Sequence, residues 1–130
     1  MKATDLMIGD WVCLKDDIKS ELPLKVDGVL IDDISLEGEG FLGGVDGLIR
    51  PIPITPEILE KNGFIKVNSQ RYDYGYPDTD CYVKVNPKKN MIHVNGRNAN
   101  SNLYSHSFVH QIQQALRLCG LNKIADNFKL

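Results

Sequence analysis

The chain has 130 residues, of which 42 % are hydrophobic and 25 % charged, and its net charge is −2 at neutral pH. This length favours one domain, and the composition is too apolar for a disordered chain. The charge is uneven: residues 1–50 carry five basic and eleven acidic residues, whereas residues 51–130 carry ten basic and six acidic ones. Because nucleic-acid binding normally needs a basic patch, the first half is a poor candidate for it and the second is only mildly basic.

No apolar run is long enough for a signal peptide or a membrane-spanning helix, so we expect a cytoplasmic protein without a membrane contact. Cys13, Cys81 and Cys119 are odd in number, and no CxxC pair occurs. This favours reduced thiols over a disulfide framework or a zinc site.

Residues 1–52 predict a β-rich subregion. Runs of β-forming residues follow the Gly9–Asp10 turn and flank Asp27–Gly28, a dipeptide typical of hairpins. Glycines cluster between residues 38 and 47, where sharp turns are expected. The pattern predicts a small bent sheet, with an SH3-like barrel as one alternative.

The segment PIPITPEILEKNGF encodes both ends of a short helix over 55–62. Thr55 is a favoured N-cap, and Pro56 suits the first helical position, where no backbone N–H is needed. Gly63 is a typical helix stop, and Phe64 can fold back onto the last turn. A proline-rich peptide ligand is the alternative, but the aliphatic residues of this segment favour burial within one domain.

Residues 64–95 predict an antiparallel β-meander, in which Val83 and Val85 alternate with more polar neighbours. The polar segment that follows is expected to be a loop. Apolar residues at helical spacing then predict a helix over 104–119 that covers the meander, with Gly120 as its stop. Residues 121–130 fit a short helical turn or a strand. The fold class is therefore α+β.

The outward face of the last helix is a candidate protein interface, because it carries hydrogen-bonding groups and little charge. Its residues are His106, His110, Gln113, Gln114 and Arg117, and this face is expected to be solvated because both histidines point away from the apolar stripe. The competing interpretation is a helix partly covered by the polar loop or by the tail. His106 and His110 also have the i, i+4 spacing of metal ligands, but the glutamate of an HExxH motif is absent. We predict no metal and no cofactor.

The alternating tyrosines of the meander are a second candidate site. With nearby basic residues they could stack single-stranded bases, although acidic residues in the same segment make nucleic acid an unlikely partner. The competing interpretation is cross-strand aromatic packing. The residues concerned are Tyr72, Tyr74, Tyr76, Lys88, Lys89 and Arg97.

Three segments, DLMIGDWV, IRPIPITPEILEKNGF and VHQIQQALRLCG, resemble a family of small uncharacterised proteins of Bacteroides-type gut bacteria, often encoded near phage or mobile-element genes. The resemblance implies a stand-alone cytoplasmic protein of phage or mobile-element origin. It supplies no catalytic or binding residue, and no motif of that family lies between Ser69 and Asn102.

We find no convincing set of acid, base and nucleophile, so we do not expect an enzyme. The leading prediction is a non-catalytic protein-interaction module that binds an unknown protein partner or a second copy of itself through the last helix. The alternative is weak single-stranded nucleic-acid binding through the tyrosine strand.

Overall fold

The structure is a computed structural model that describes residues 3–15, 21–30, 33–42, 49–75, 82–96, 99–104 and 108–130. Its contacts divide the chain into two compact units, Met1–Ile52 and Pro53–Leu130. The predicted α+β fold class is confirmed, since the described residues form two five-stranded antiparallel sheets and three α-helices. That the two units make one domain stays a prediction.

The first unit is β-rich, as expected. After a 3-10 turn over Ala3–Asp5, its strands are β1 (Trp11–Lys15), β2 (Glu21–Val29), β3 (Ile34–Leu36), β4 (Gly40–Leu42) and β5 (Ile49–Arg50). They follow the order β4-β3-β2-β1-β5, which places β4 and β5 at the two edges. The long strand β2 pairs with β1 through its first half and with β3 through its second half. This change of partner makes the sheet bend along β2.

The hairpin predicted at Asp27–Gly28 is wrong, because β2 continues through both residues. The pairing register with β3 shifts between Val26 and Gly28, so the dipeptide forms an irregularity within the strand. An extra residue at such a point bends a strand and increases its twist, which suits the position where β2 changes partner.

The core of the first unit is aliphatic. Its buried residues are Ala3, Leu6, Val12, Val26, Ile34, Leu36 and Ile49. The fully buried Asp10 ties the predicted Gly9–Asp10 turn to this core. Its carboxylate accepts a hydrogen bond from the Met7 N–H at 2.8 Å, and its carbonyl accepts one from the Val26 N–H at 2.9 Å.

The second unit begins with α1 (Pro56–Lys61), and the predicted capping is confirmed. The Thr55 hydroxyl accepts a hydrogen bond from the Ile58 N–H at 3.3 Å. At the other end Gly63 has φ +86°, and the Phe64 N–H donates to the Leu59 carbonyl at 3.0 Å. This bond closes the helix, and Phe64 is buried.

The predicted meander has five strands: β6 (Ile65–Lys66), β7 (Tyr72–Tyr74), β8 (Tyr82–Asn86), β9 (Met91–Gly96) and β10 (Ala99–Tyr104). Each strand pairs antiparallel with the next along the chain. The loop expected after β9 is wrong over residues 99–102, which belong to the edge strand β10. Pairing with β9 holds this polar segment extended although its own sequence offers little to bury.

Two further helices complete the second unit, α2 (Val109–Leu118) and α3 (Asn122–Asp126). The predicted helix start at 104 is wrong, because Tyr104 belongs to β10 and Phe108 is the N-cap. The predicted stop is confirmed: Gly120 has φ +75°, and the Leu121 N–H donates to the Leu116 carbonyl at 2.9 Å.

The expected covering of the meander by its last long helix is confirmed, since α2 packs on β8 and β9. The buried residues on the two sides are Val83, Val85, Ile92, Val94, Val109, Ile112, Ala115 and Leu116. An isolated antiparallel bridge between Pro53 and Phe108 brings the entrance of α1 beside the entrance of α2.

Candidate functional site

The candidate site lies on the side of the second sheet that points away from α2. Along β8, alternation buries Val83 and Val85 towards α2 and turns Lys84 to the opposite side. The pairing register places Asp73 of β7 and His93 of β9 directly opposite Lys84. We call the surface around Asp73, Lys84 and His93 the open face.

Charged and aromatic groups meet on the open face. The Arg71 Nε atom lies 3.2 Å from the Asp73 Oδ1 atom. The Lys84 Nζ atom lies 5.0 Å from the centre of the Tyr82 ring, which is within cation–π range. Arg71 and Lys84 are therefore both held near the sheet by a neighbouring side chain.

A depression of about 230 Å³ opens on this face. It is lined by Arg71, Lys84, Val85, Asn86, Lys89, Met91 and His93. Arg71 precedes β7, Asn86 ends β8 and Met91 begins β9, so the depression lies at one end of the open face. We call it the basic depression, because three of its lining residues are cations.

The turn between β8 and β9 positions Lys89. Residues Pro87–Lys89 form a 3-10 turn, in which the Asn86 Oδ1 atom accepts a hydrogen bond from the Lys89 N–H at 3.1 Å. Asn90 then adopts a left-handed conformation, with φ 53°, which returns the chain to β9. This local order fixes the backbone from which the Lys89 side chain reaches the depression.

The structure separates the predicted tyrosine site into different environments. Tyr72 is 5 % exposed and belongs to the core, so its ring cannot stack on a base. Tyr74 is half-buried and packs against Phe64, with ring centres 5.3 Å apart. Lys88 and Lys89 are exposed on the turn after β8. Tyr76 and Arg97 lie outside the described residues.

The predicted outward face of the last helix is largely covered. Its expected solvation is wrong for His110 and Gln113, which are 5 % and 0 % exposed. Gln113 is covered by the tail, as in the competing interpretation: α3 packs on α2, and the Ala125 carbonyl accepts a hydrogen bond from Gln113 Nε2, 3.0 Å away. The His110 ring instead stacks on the Phe108 ring, with ring centres 6.1 Å apart.

Two other members of that face keep partial access to solvent. Gln114 is half-buried, and Arg117 lies 3.4 Å from the Asp126 carboxylate of α3. His106 lies outside the described residues, and so does the predicted pair of metal ligands that it would form with His110. In the part of the chain that the structure describes, no cluster of three or more His, Cys, Asp or Glu residues could hold a metal ion.

Sequence reasoning missed Tyr82, Lys84, His93 and Arg71 as a group. The alternation of β8 predicted that Tyr82 and Lys84 share the side opposite Val83 and Val85. It did not predict that Lys84 and His93 would be opposite each other, since this depends on the register of β8 against β9.

No protein-family model matches the chain, and neither a curated protein nor a solved structure shows significant similarity to it. None of the helices in the described ranges has the length and apolarity needed to cross a membrane.

Proposed function

We propose that the protein is a non-catalytic cytoplasmic module, of the phage or mobile-element origin that its sequence resemblance implies, which binds single-stranded nucleic acid. The binding surface is the open face of the second sheet. The observation that supports this proposal is the juxtaposition of Tyr82 and Lys84 with the basic depression on one sheet surface.

Single-stranded nucleic acid needs cations that follow its backbone and aromatic rings on which its bases stack. Arg71, Lys84 and Lys89 supply the cations, and the half-buried Tyr82 supplies a ring on the same face. Residues 51–130 carry four more basic than acidic residues, which favours an anionic ligand for this unit. The ligand class is the one predicted from the sequence, but the proposed site lies on the Tyr82 side of the sheet and not on the Tyr72 side.

The test is fluorescence anisotropy with a labelled 20-nucleotide oligothymidylate at several salt concentrations. If the site makes three phosphate contacts, raising the salt concentration from 50 to 200 mM should weaken binding roughly 20-fold. Lys84→Gln should weaken binding and flatten the salt dependence, because it removes one of these contacts.

The matched control is Lys123→Gln, since Lys123 is exposed on α3, and α3 packs on the helix that covers the other side of the sheet. Wild-type affinity is expected for this variant. Absence of binding to oligothymidylate and oligouridylate at 50 mM salt would reject the proposal, as would equal losses for Lys84→Gln and Lys123→Gln.

Self-association is a second candidate, which retains the predicted protein-interaction function at another surface. Strand β6 is an edge of the second sheet; Ile65 within it is 62 % exposed, and Val67 just after it is 48 % exposed. An exposed sheet edge with aliphatic side chains can pair with the same edge of a second copy.

Light scattering as a function of protein concentration tests this second candidate. We expect the wild type to form dimers that Ile65→Lys abolishes, because a charge there opposes edge pairing. Leu118→Lys, at an equally exposed aliphatic residue on α2, is the control and should leave the dimer intact. A wild type that stays monomeric at the highest soluble concentration would exclude it.

A further inference from the structure

The basic depression lies where the open face ends, at the turn between β8 and β9. Tyr82 is at the opposite end of β8, and Lys84 lies between the two. Two residues along a strand span about 7 Å, so a phosphate group held near Lys84 leaves room for its own nucleotide beside Tyr82. A nucleic-acid strand that lies along the open face therefore reaches the basic depression with one of its ends.

The charge of the basic depression fits a dianion. Arg71, Lys84 and Lys89 are cationic, and Asp73 is the acid paired with Arg71, which leaves an excess of two positive charges. A phosphate monoester carries a charge of about −1.5 to −2 at neutral pH, whereas an internal phosphodiester carries about −1. The monoester therefore matches the depression more closely than a backbone phosphate does.

The donors of the basic depression also suit a terminal phosphate. The planar guanidinium of Arg71 and the ammonium groups of Lys84 and Lys89 are donors of different geometry that converge from three chain segments. A monoester offers three non-bridging oxygens as acceptors, one more than an internal phosphodiester. Charge-assisted bonds to each of them would hold the end of the strand and not its middle.

We infer that the basic depression recognises the terminal phosphate monoester of a single-stranded nucleic acid. This inference rests on the proposed function, because it specifies which part of the nucleic acid the site holds. Recognition involves no covalent step: the phosphate binds and is released unchanged.

The experiment compares ligands of one sequence that differ only in their ends. Labelled 12-nucleotide oligothymidylates with a 5′-phosphate, a 3′-phosphate or hydroxyls at both ends are measured by anisotropy, with a circular form of the same length as an endless competitor. We expect one of the two phosphorylated forms, either the 5′ or the 3′, to bind about tenfold more tightly than the hydroxyl form. Its terminal phosphate adds charge-assisted hydrogen bonds. The circular form should compete no better than the hydroxyl form.

Lys89→Gln should remove most of the advantage of the phosphorylated end and leave the weaker binding of the hydroxyl form. Circular dichroism checks that this exposed turn variant is folded, and Lys84→Gln is the second variant. If all four ligands bind equally, the inference is overturned while nucleic-acid binding stands. If none of them binds, both proposals fail. If polyglutamate competes as well as the phosphorylated oligonucleotide, the depression is a general anion site and the inference is also overturned.

Discussion

Asn62 and Lys129, which are 67 residues apart, hold each other through two hydrogen bonds of opposite direction. The Asn62 Nδ2 atom donates to the Lys129 carbonyl at 2.6 Å, and the Asn62 Oδ1 atom accepts from the Lys129 N–H at 2.7 Å. The same amide nitrogen donates to the Ile58 carbonyl at 2.8 Å. One side chain thus caps α1 and also pairs with both backbone groups of Lys129, as a neighbouring strand would.

Asn62→Ala should lower the free energy of unfolding by about 1–3 kcal/mol, because three hydrogen bonds are lost at a partly solvated position. Urea denaturation followed by circular dichroism measures the change. The control is Asn68→Ala, where the side chain accepts one local bond from the Gln70 N–H at 2.9 Å. We expect that control to cost less than about 1 kcal/mol. Equal costs for both variants would contradict the role given to Asn62.

Gly63→Ala and Gly120→Ala form a matched pair at the two helix stops. Both glycines have positive φ, so each alanine should cost about 1 kcal/mol for the left-handed backbone. At Gly63 an added Cβ would also lie 3.2 Å from the Tyr74 ring, whereas at Gly120 it would meet no atom within 4 Å.

Thermal unfolding should therefore show the larger loss for Gly63→Ala. The difference between the two glycine variants should shrink when both are made in a Tyr74→Leu background, because the ring atom that crowds the Cβ is then absent. A difference that persists unchanged would show that the Tyr74 contact is not its cause.

Gln113→Glu should destabilise the protein by about 2 kcal/mol or more. It replaces the donor to the Ala125 carbonyl by a buried carboxylate that has no proton to donate. Gln111→Glu is the matched control, because the Gln111 Oε1 atom accepts from the Phe108 N–H at 3.1 Å and a glutamate can do the same.

The negative charge of that control also lies in the first turn of α2, where the helix dipole favours it, so we expect a change within about 0.5 kcal/mol. Chemical denaturation of the two variants side by side provides the measurement. If Gln113→Glu has wild-type stability, Gln113 is not buried under α3 and the solvation predicted from the sequence is correct.

Tyr72→Ala and Tyr82→Ala should separate stability from binding. Truncation of the buried Tyr72 should cost about 3 kcal/mol without changing the affinity of the folded protein for oligothymidylate. Truncation of the half-buried Tyr82 should cost less but weaken that affinity roughly tenfold, as expected for the loss of one stacking platform. The opposite pattern would return the binding site to the Tyr72 side of the sheet.

The features that were predicted correctly depend on neighbours within a few residues. Thr55, Gly63 and Gly120 cap their helices through bonds that span three to five positions, so their meaning is readable from the sequence alone. The alternation of Val83 and Val85 is equally local, and it predicted which residues of β8 are buried.

The features that were missed depend on partners far away in sequence. Tyr104 fits the helical spacing of α2, yet its segment is extended because β9 pairs with it. Gln113 looks solvated on a helical wheel, but α3 covers it. The basic depression joins β8, β9 and the residue that precedes β7, so it follows from pairing registers that one strand's sequence does not encode.

The unbroken chain order of the second sheet has a consequence for the path of folding. Every strand from β6 to β10 pairs with its immediate successor, so each hairpin closes only a short loop, and such local contacts form early. The clasp formed by the two Asn62–Lys129 hydrogen bonds closes a loop of 67 residues, so we expect it to form late in folding. Loss of this clasp should therefore speed unfolding and leave the folding rate nearly unchanged, so that the clasp governs how long the native unit lasts and not how fast it is reached.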